Sequence, residues 1–401
     1  MSSNDFRIRV LPAITEIPPQ TWDACANPGG AAHVSSQALP FNPFVSHAFL
    51  SALELSRSAT AKTGWQPQHL VLERADGSTA GVAPCYLKSH SRGEYVFDHG
   101  WAEAYERAGG RYYPKLQVSV PFTPVTGRRL LTLPGPDAAG AQAALTQGLI
   151  ELARLRDASS VHLTFPTEAE WRLAAAHGYL QRTDQQFHWD NNGYATFDDF
   201  LAALSARKRK TIRRERREAV EPGIDIAWLT GSDLTESVWD AFFAFYIETG
   251  SRKWGRPYLT REFFSRVGQS MADNIVLVLA KRGGRAIAGA LNFKGSDTLY
   301  GRHWGAIEHH ACLHFELCYY QAIEYAIAHK LPRVEAGAQG EHKLARGYLP
   351  TTTYSAHYIA DRGLRRAVAD YLAHERAYVE AAGRELAEAS PFRKDLAVEV
   401  E

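Results

Sequence analysis

Residues 275–304 read IVLVLAKRGGRAIAGALNFKGSDTLYGRHW, and this stretch decides the fold. Ile275 to Lys281 is an apolar run, Gly283-Gly284 a tight turn, and Ala286 to Phe293 the returning run; Gly295-Ser296-Asp297 then turns the chain into Thr298 to Trp304. The spacing predicts a three-stranded antiparallel meander. Leu313 to His329 follows with the length of a helix, and Arg333 to Ala336 with that of a short strand.

Much earlier in the chain the same order of events occurs. His69 to Arg74 reads as a strand, Asp76-Gly77 as a turn, Ala80 to Leu87 as a second strand and Glu94 to His99 as a third after Arg92-Gly93. Ala138 to Arg156 has helical length, Val161 to Phe165 is a short strand, and Glu168 to His177 is another helix. His303-Trp304-Gly305 echoes His99-Gly100-Trp101. The expected fold class is α/β with mixed α+β sheets covered by helices, in two tandem domains over 1–190 and 191–401. Element order alone leaves an unrelated pair of α/β domains as the alternative.

With 401 residues, 45% hydrophobic and 22% charged, the chain can bury a large core, which excludes disorder as its main property. Forty-five basic against forty-four acidic residues deny the whole chain the charge of a general nucleic-acid or membrane-surface binder, so any basic patch is local. Cys25, Cys85, Cys312 and Cys318 lack paired spacing, which argues against a disulfide framework and a zinc knuckle. Met1 to Val10 is polar, and no later segment approaches the ~20 apolar residues of a membrane span. The expectation is a cytoplasmic protein without a transmembrane segment.

The local patch lies where the second domain opens. Thr196 with Asp199 is a capping-box start for a helix over 197–219, and Pro222-Gly223 ends it. Arg207 to Glu218 holds eight basic and two acidic residues, a balance of +6. Arg207, Lys208, Lys210, Arg213 and Arg214 are therefore candidate contacts for RNA or phosphate; a solvated helix face is the competing reading.

Glu316 is the odd polar residue on an apolar helix, either a paired core carboxylate or a proton acceptor. His309, His310 and His314 lack further ligands at metal spacing, so no metal is expected. The segment from Glu335 to Tyr348 is the densest in chemistry. Its glycines allow close backbone approach, while Glu341, His342, Lys343, Arg346 and Tyr348 offer acid, base and anion-stabilising groups, unless this is only a polar surface loop. In the first copy Lys88, Asp98, His99, Trp101, Tyr113, Lys115 and Thr123 suit a groove for a polar, partly flat substrate; ordinary aromatic packing is the alternative. GxSxG, GxxxxGK[ST], GxGxxG and HExxH are all absent, which leaves acid–base and positioning chemistry.

The strings Phe-Asp-His-Gly-Trp (97–101), Tyr-Pro-Lys-Leu-Gln (113–117), Pro-Phe-Thr-Pro-Val-Thr-Gly (121–127) and Gly-Glu-His-Lys-Leu-Ala-Arg-Gly-Tyr (340–348) resemble the FemAB-like branch of the GNAT acyltransferase superfamily, over about Asn42 to Glu375. The resemblance implies tandem GNAT-like domains and transfer of an acyl or aminoacyl group to an amine. In that family aminoacyl-tRNA is the donor of the Fem transferases and a peptidoglycan-precursor peptide the acceptor. Arg346-Gly347-Tyr348 is similar to the family's basic-Gly-aromatic string, with Lys343 close by.

One departure bears on the donor. The Arg/Gln-x-x-Gly-x-Gly/Ala turn by which acetyl-CoA-dependent GNAT enzymes hold pyrophosphate is missing from both copies, where Thr126 to Arg129 and Ala306 to Leu313 stand instead. The donor is thus left open between acetyl- or acyl-CoA and aminoacyl-tRNA, with weight on the tRNA. The expected mechanism is attack by an acceptor amine, small molecule or peptide, on an ester or thioester carbonyl. Glu316, Glu341 or His342 is the base, Lys343 or Arg346 stabilises the oxyanion, and His303 and Trp304 line the groove with Tyr348. A non-catalytic peptide or glycan recognition module is the competing class.

Overall fold

Gly283 and Gly284 both adopt left-handed backbone angles, φ 56° and 78°, the geometry a primed two-residue hairpin turn demands and only glycine takes freely. They close the strands Ile275–Arg282 and Arg285–Lys294 into the expected hairpin, and Thr298–Ala306 completes an antiparallel meander. The structure is a computed structural model that describes residues 6–30, 39–253, 257–337 and 340–393, with the side chains of 252, 253 and 341 excepted. It divides into two units, Met1–Asp184 with Thr352–Glu380 and Gln185–Thr351 with Ala381–Glu401.

In the second unit Ile224–Leu229 adds to one edge of the meander. At the other edge Arg333–Glu335 runs parallel to Thr298–Ala306 for the pairs Thr298↔Arg333, Leu299↔Val334 and Tyr300↔Glu335, and there the ladder ends. A bulge after Leu291 makes Arg302 the extra residue just past that point. Asp190, Trp189 and His188 pair antiparallel on the far side of Arg333–Glu335. The apolar run from Leu313 is helical, with a π-turn at Glu316–Tyr320 between Leu313–Phe315 and Gln321–Ala328. Its Tyr320, Ala322, Ile323 and Ile327 pack on Trp189, Val276, Leu299 and Val334. Each fully buried aliphatic side chain of this kind contributes about 1.5–3 kcal/mol.

In the first unit Arg7–Leu11, His69–Glu73, Thr79–Ala83 and Leu131–Thr132 form a four-stranded antiparallel sheet. The strand expected over Ala80 to Leu87 is split at Pro84: with no N–H to give, the proline ends Thr79–Ala83, and Cys85–Lys88 joins a second sheet. That sheet pairs Cys85–Lys88 with Trp65–Pro67 and Lys115–Val118, and the latter runs parallel to Ser160–Thr164. The helix Ala138–Leu155 drives Leu145, Leu149 and Leu152 into a core with Leu72, Leu116, Val118 and Leu163.

Two further expectations are corrected. Glu94 to His99 is not a strand; the chain passes through an irregular loop into the helix His99–Arg107, because Glu94 and Asp98 turn inward to buried lysines instead of alternating across a sheet. The helix expected over 197–219 is two helices, Phe197–Ala203 and Ala206–Val220, interrupted where Leu204 becomes extended and Ser205 starts the second.

Candidate active site

The first unit holds a buried ionic cluster. Lys88 and Lys115 are fully buried at the two ends of one register pair. The Lys115 ammonium donates to Ser91 Oγ at 2.8 Å, Glu94 Oε2 at 2.7 Å and Asp98 Oδ2 at 2.5 Å. Lys88 Nζ lies 3.7 Å from Glu94 Oε1 and 3.5 Å over the Trp65 ring. Burial would raise the Asp98 carboxyl, but the Lys115 ammonium holds it well below the usual carboxylate range; burial pushes Glu94 up and Lys88 down.

Asp98 also accepts from Tyr112 OH at 2.7 Å and lies 3.8 Å from His162 Nε2. His162 Nδ1 meets His357 Nδ1 at 2.7 Å, and the Trp101 ring stacks on His162 and stands edge-on to His357. Tyr113, half-buried, reaches the cluster through a 2.8 Å hydrogen bond with Ser91. Lys88, Asp98, Trp101, Tyr113 and Lys115 are thus brought together. His99 turns outward against the Phe97 ring, and Thr123 donates to Pro121 O instead. Sequence reasoning missed Ser91, Glu94, His162 and His357; the local signal was a histidine inside the apolar strand Ser160–Thr164.

In the second unit the basic helix buries Ile212, Glu215 and Ala219, one turn apart along one face. Arg216, half-buried, donates to both Glu316 oxygens at 3.0–3.2 Å and to Glu324 at 2.6 Å. Glu316 also accepts from Gln321 at 2.8 Å, so this carboxylate ties the π-turn to the basic helix. The outer face carries a depression of about 470 Å³ lined by Arg207, Arg209, Lys210, Arg213, Arg214 and Arg217. Lys208 is half-buried and does not line it, and Arg213 pairs with Asp198 at 3.0 Å. The arrangement suits successive phosphates.

The segment after the strand Arg333–Glu335 forms a short 3-10 helix, Glu341–Arg346, entered at Gly340 and left at Gly347 with φ 116° and 91°. Lys343 is 2% exposed; its ammonium donates to Gly337 O at 2.7 Å, and burial pushes it down to about 8. Arg346 donates from Nη2 to both Glu215 oxygens, with its guanidinium 3.4 Å over the Phe315 ring. Glu215 accepts from Tyr320 OH too. His342 bonds Tyr319 OH at 2.9 Å, and Tyr348 is fully buried with its OH on Tyr319 O. The Glu341 side chain lies outside the described residues.

Trp304 reaches this group through the His314 ring at 5.2 Å, whereas His303 faces Tyr246 at 5.3 Å, and burial pushes its imidazole down to about 3. Two residues given no role from sequence, Glu335 and His188, stand side by side where the parallel ladder ends. Their one signal was a carboxylate ending a buried three-residue strand. Among the described residues no group of three or more His, Cys, Asp or Glu is placed to hold a metal. No helix among them is long and apolar enough to cross a membrane.

The sequence profile of the FemAB-like family, described as peptidoglycan biosynthesis/recognition, matches residues 13–394. Among solved structures the fold resembles FemX at 12% identity and a TM-score of 0.53, covering 88% of this chain and 98% of that one. It also resembles L-PGS from Bacillus licheniformis at 9% identity and a TM-score of 0.50, covering 84% and 99%. A tandem GNAT protein from the clavulanic acid biosynthesis pathway aligns at 16% identity and a TM-score of 0.47, covering 89% and 99%. A comparison with curated protein sequences gives no match.

Proposed function

The chain belongs to the FemAB-like peptidoglycan biosynthesis/recognition family, and from that premise we propose that it is an N-acyl- or N-aminoacyltransferase whose chemistry is carried by the second unit. One observation carries this reading: the parallel ladder ends at Tyr300↔Glu335, and just beyond it the buried Lys343 ammonium, its proton affinity lowered to about 8, donates to Gly337 O. A desolvated cation at such a place stabilises the negative oxygen that forms when an amine attacks an ester or thioester carbonyl. Lys343 keeps its charge at neutral pH and gains strength from exclusion of water. Arg346 is already committed to Glu215, so the oxyanion role falls to Lys343 and the positioning of its turn to Arg346.

The donor is an aminoacyl-tRNA in this reading. The missing pyrophosphate turn disfavours CoA, and the row of arginines outside the helix Ala206–Val220 offers a track for an RNA backbone. The acceptor is a primary amine, with a peptidoglycan-precursor peptide the first to test.

Purified protein is incubated with acetyl-CoA or bulk aminoacyl-tRNA at two salt concentrations, and thermal shift, filter binding and transfer to a lysine-containing precursor peptide are read. Salt-sensitive tRNA binding with transfer is expected. Transfer from acetyl-CoA alone overturns the tRNA donor, and peptide binding without turnover makes the protein a recognition module.

A further inference from the structure

Glu335 ends its strand at the last pair of the ladder, on the sheet face opposite Val334, whose side chain packs with Leu299 and Trp189 in the core. Tyr300 and His188 are its register partners on either side. Glu335 is 6% exposed, and among the described residues its Oε2 has no hydrogen-bond partner. His188 is 3% exposed with Nδ1 equally unpaired; its Nε2 lies 3.9 Å from Glu335 Oε2 and 3.4 Å from Gln186 Oε1. Buried polar atoms are nearly always paired. Two unmet atoms side by side, where the parallel ladder ends, mark a place for a polar group of a ligand.

Arg333, Arg302, Asp297, Asp190 and Lys343 act on the pair at a distance. Burial pushes the Glu335 carboxyl up to about 8, only partly opposed by Arg333 and Arg302, and pushes the His188 imidazole down to about 3. The two therefore stand as a carboxyl able to exchange a proton near neutrality and a neutral ring 3.9 Å from it.

We infer that Glu335 is the proton acceptor for the incoming primary ammonium. The assignment rests on the acyl-transfer reading above. The ammonium gives its first proton to the Glu335 carboxylate, and the freed lone pair attacks the donor carbonyl carbon to form the C–N bond. As the intermediate collapses, the C–O or C–S bond breaks, and its electron pair leaves with the oxygen or sulfur. The second nitrogen proton ends on that leaving atom, and Glu335 returns its own to solvent.

The test compares wild type with Glu335→Gln, using the donor that supports transfer and two acceptors, the lysine-containing peptide and hydroxylamine. Hydroxylamine arrives unprotonated at neutral pH and needs no base to free its lone pair. Glu335→Gln is expected to lose transfer to the peptide by about 100-fold while transfer to hydroxylamine is largely kept; the wild-type peptide rate levels off above about pH 8, whereas the variant's keeps rising with the free-amine fraction of the peptide. The variant's melting temperature, relative to wild type, also rises from pH 5.5 to 8.5, because wild type alone must lose a proton from a buried acid. Unchanged peptide transfer, or equal loss with both acceptors, overturns the assignment while leaving the reading intact. A wild type silent with both donors overturns the reading and this assignment with it.

Discussion

Arg346 Nη2 donates to Glu215 at 2.9 Å to Oε1 and 3.0 Å to Oε2, so the turn Glu341–Arg346 is pinned from inside to the basic helix Ala206–Val220. Both side chains are nearly sealed from water, at 8% and 10% exposure. Breaking such a pair strands one buried charge, which costs about 3–5 kcal/mol. Arg346→Met is therefore expected to lower stability by that order in urea denaturation. Arg346→Met combined with Glu215→Gln recovers much of it; a double variant as unstable as the sum of the singles shows that the two do not act as a pair.

Lys343 gives the opposite pattern. Its ammonium costs stability where it is charged in the fold, below about 8, and the cost fades as pH rises toward the unfolded value near 10.5. Lys343→Met is thus expected to match or exceed wild-type stability at pH 7, with the advantage shrinking by pH 10. Transfer by the same variant falls about 100-fold or more if Lys343 holds the oxyanion. A variant that is folded and fully active removes Lys343 from the chemistry.

The basic run divides by which way each side chain faces. Arg213 and Arg214 belong to the outer depression, while Arg216 is tied to Glu316 and Glu324. Arg213→Glu with Arg214→Glu is expected to weaken tRNA binding and flatten its dependence on salt, with little change in melting temperature. Arg216→Ala lowers the melting temperature by leaving Glu316 short of its partner. Filter binding at two salt concentrations decides; equal effects of the two changes on RNA binding remove the distinction.

Local pattern carried the reading where local pattern decides the structure. Gly283-Gly284 between two apolar runs leaves a hairpin little alternative, and the apolar run from Leu313 has nowhere to go but a sheet face. Glu94 to His99 also alternates, yet its carboxylates are claimed by Lys88 and Lys115, and that pull is invisible without the tertiary fold. Pro84 was readable as a break; Leu204-Ser205 was not, because Leu204 continues the apolar spacing of a single helix. The strings 97–101, 113–117 and 340–348 fall within buried polar clusters, but the groups that complete those clusters come from far away in sequence. Glu215 finds Arg346 and His162 finds His357 only because strands and helices remote along the chain are packed together.

The His162–His357 contact itself sets an acid limit on the first unit. With Nδ1 facing Nδ1 at 2.7 Å, one ring must donate and the other accept, so the two cannot both be charged in the fold. Burial, with the nearby Lys115 ammonium, pushes His162 down to about 3, and burial with His162 holds His357 well below its usual value. Unfolded, each ring takes a proton near pH 6.5. Between that pH and about 3 the unfolded chain binds more protons than the folded one, so stability falls with acid by about 1.4 kcal/mol per pH unit for each ring. His162→Gln removes one ring from this balance. Its stability at pH 7 drops through lost packing against Trp101, yet its further loss from pH 6.5 to 5 is expected to be about 2 kcal/mol smaller than that of wild type. Urea denaturation at the two pH values measures this, and parallel losses in both proteins mean that the ring is not held neutral.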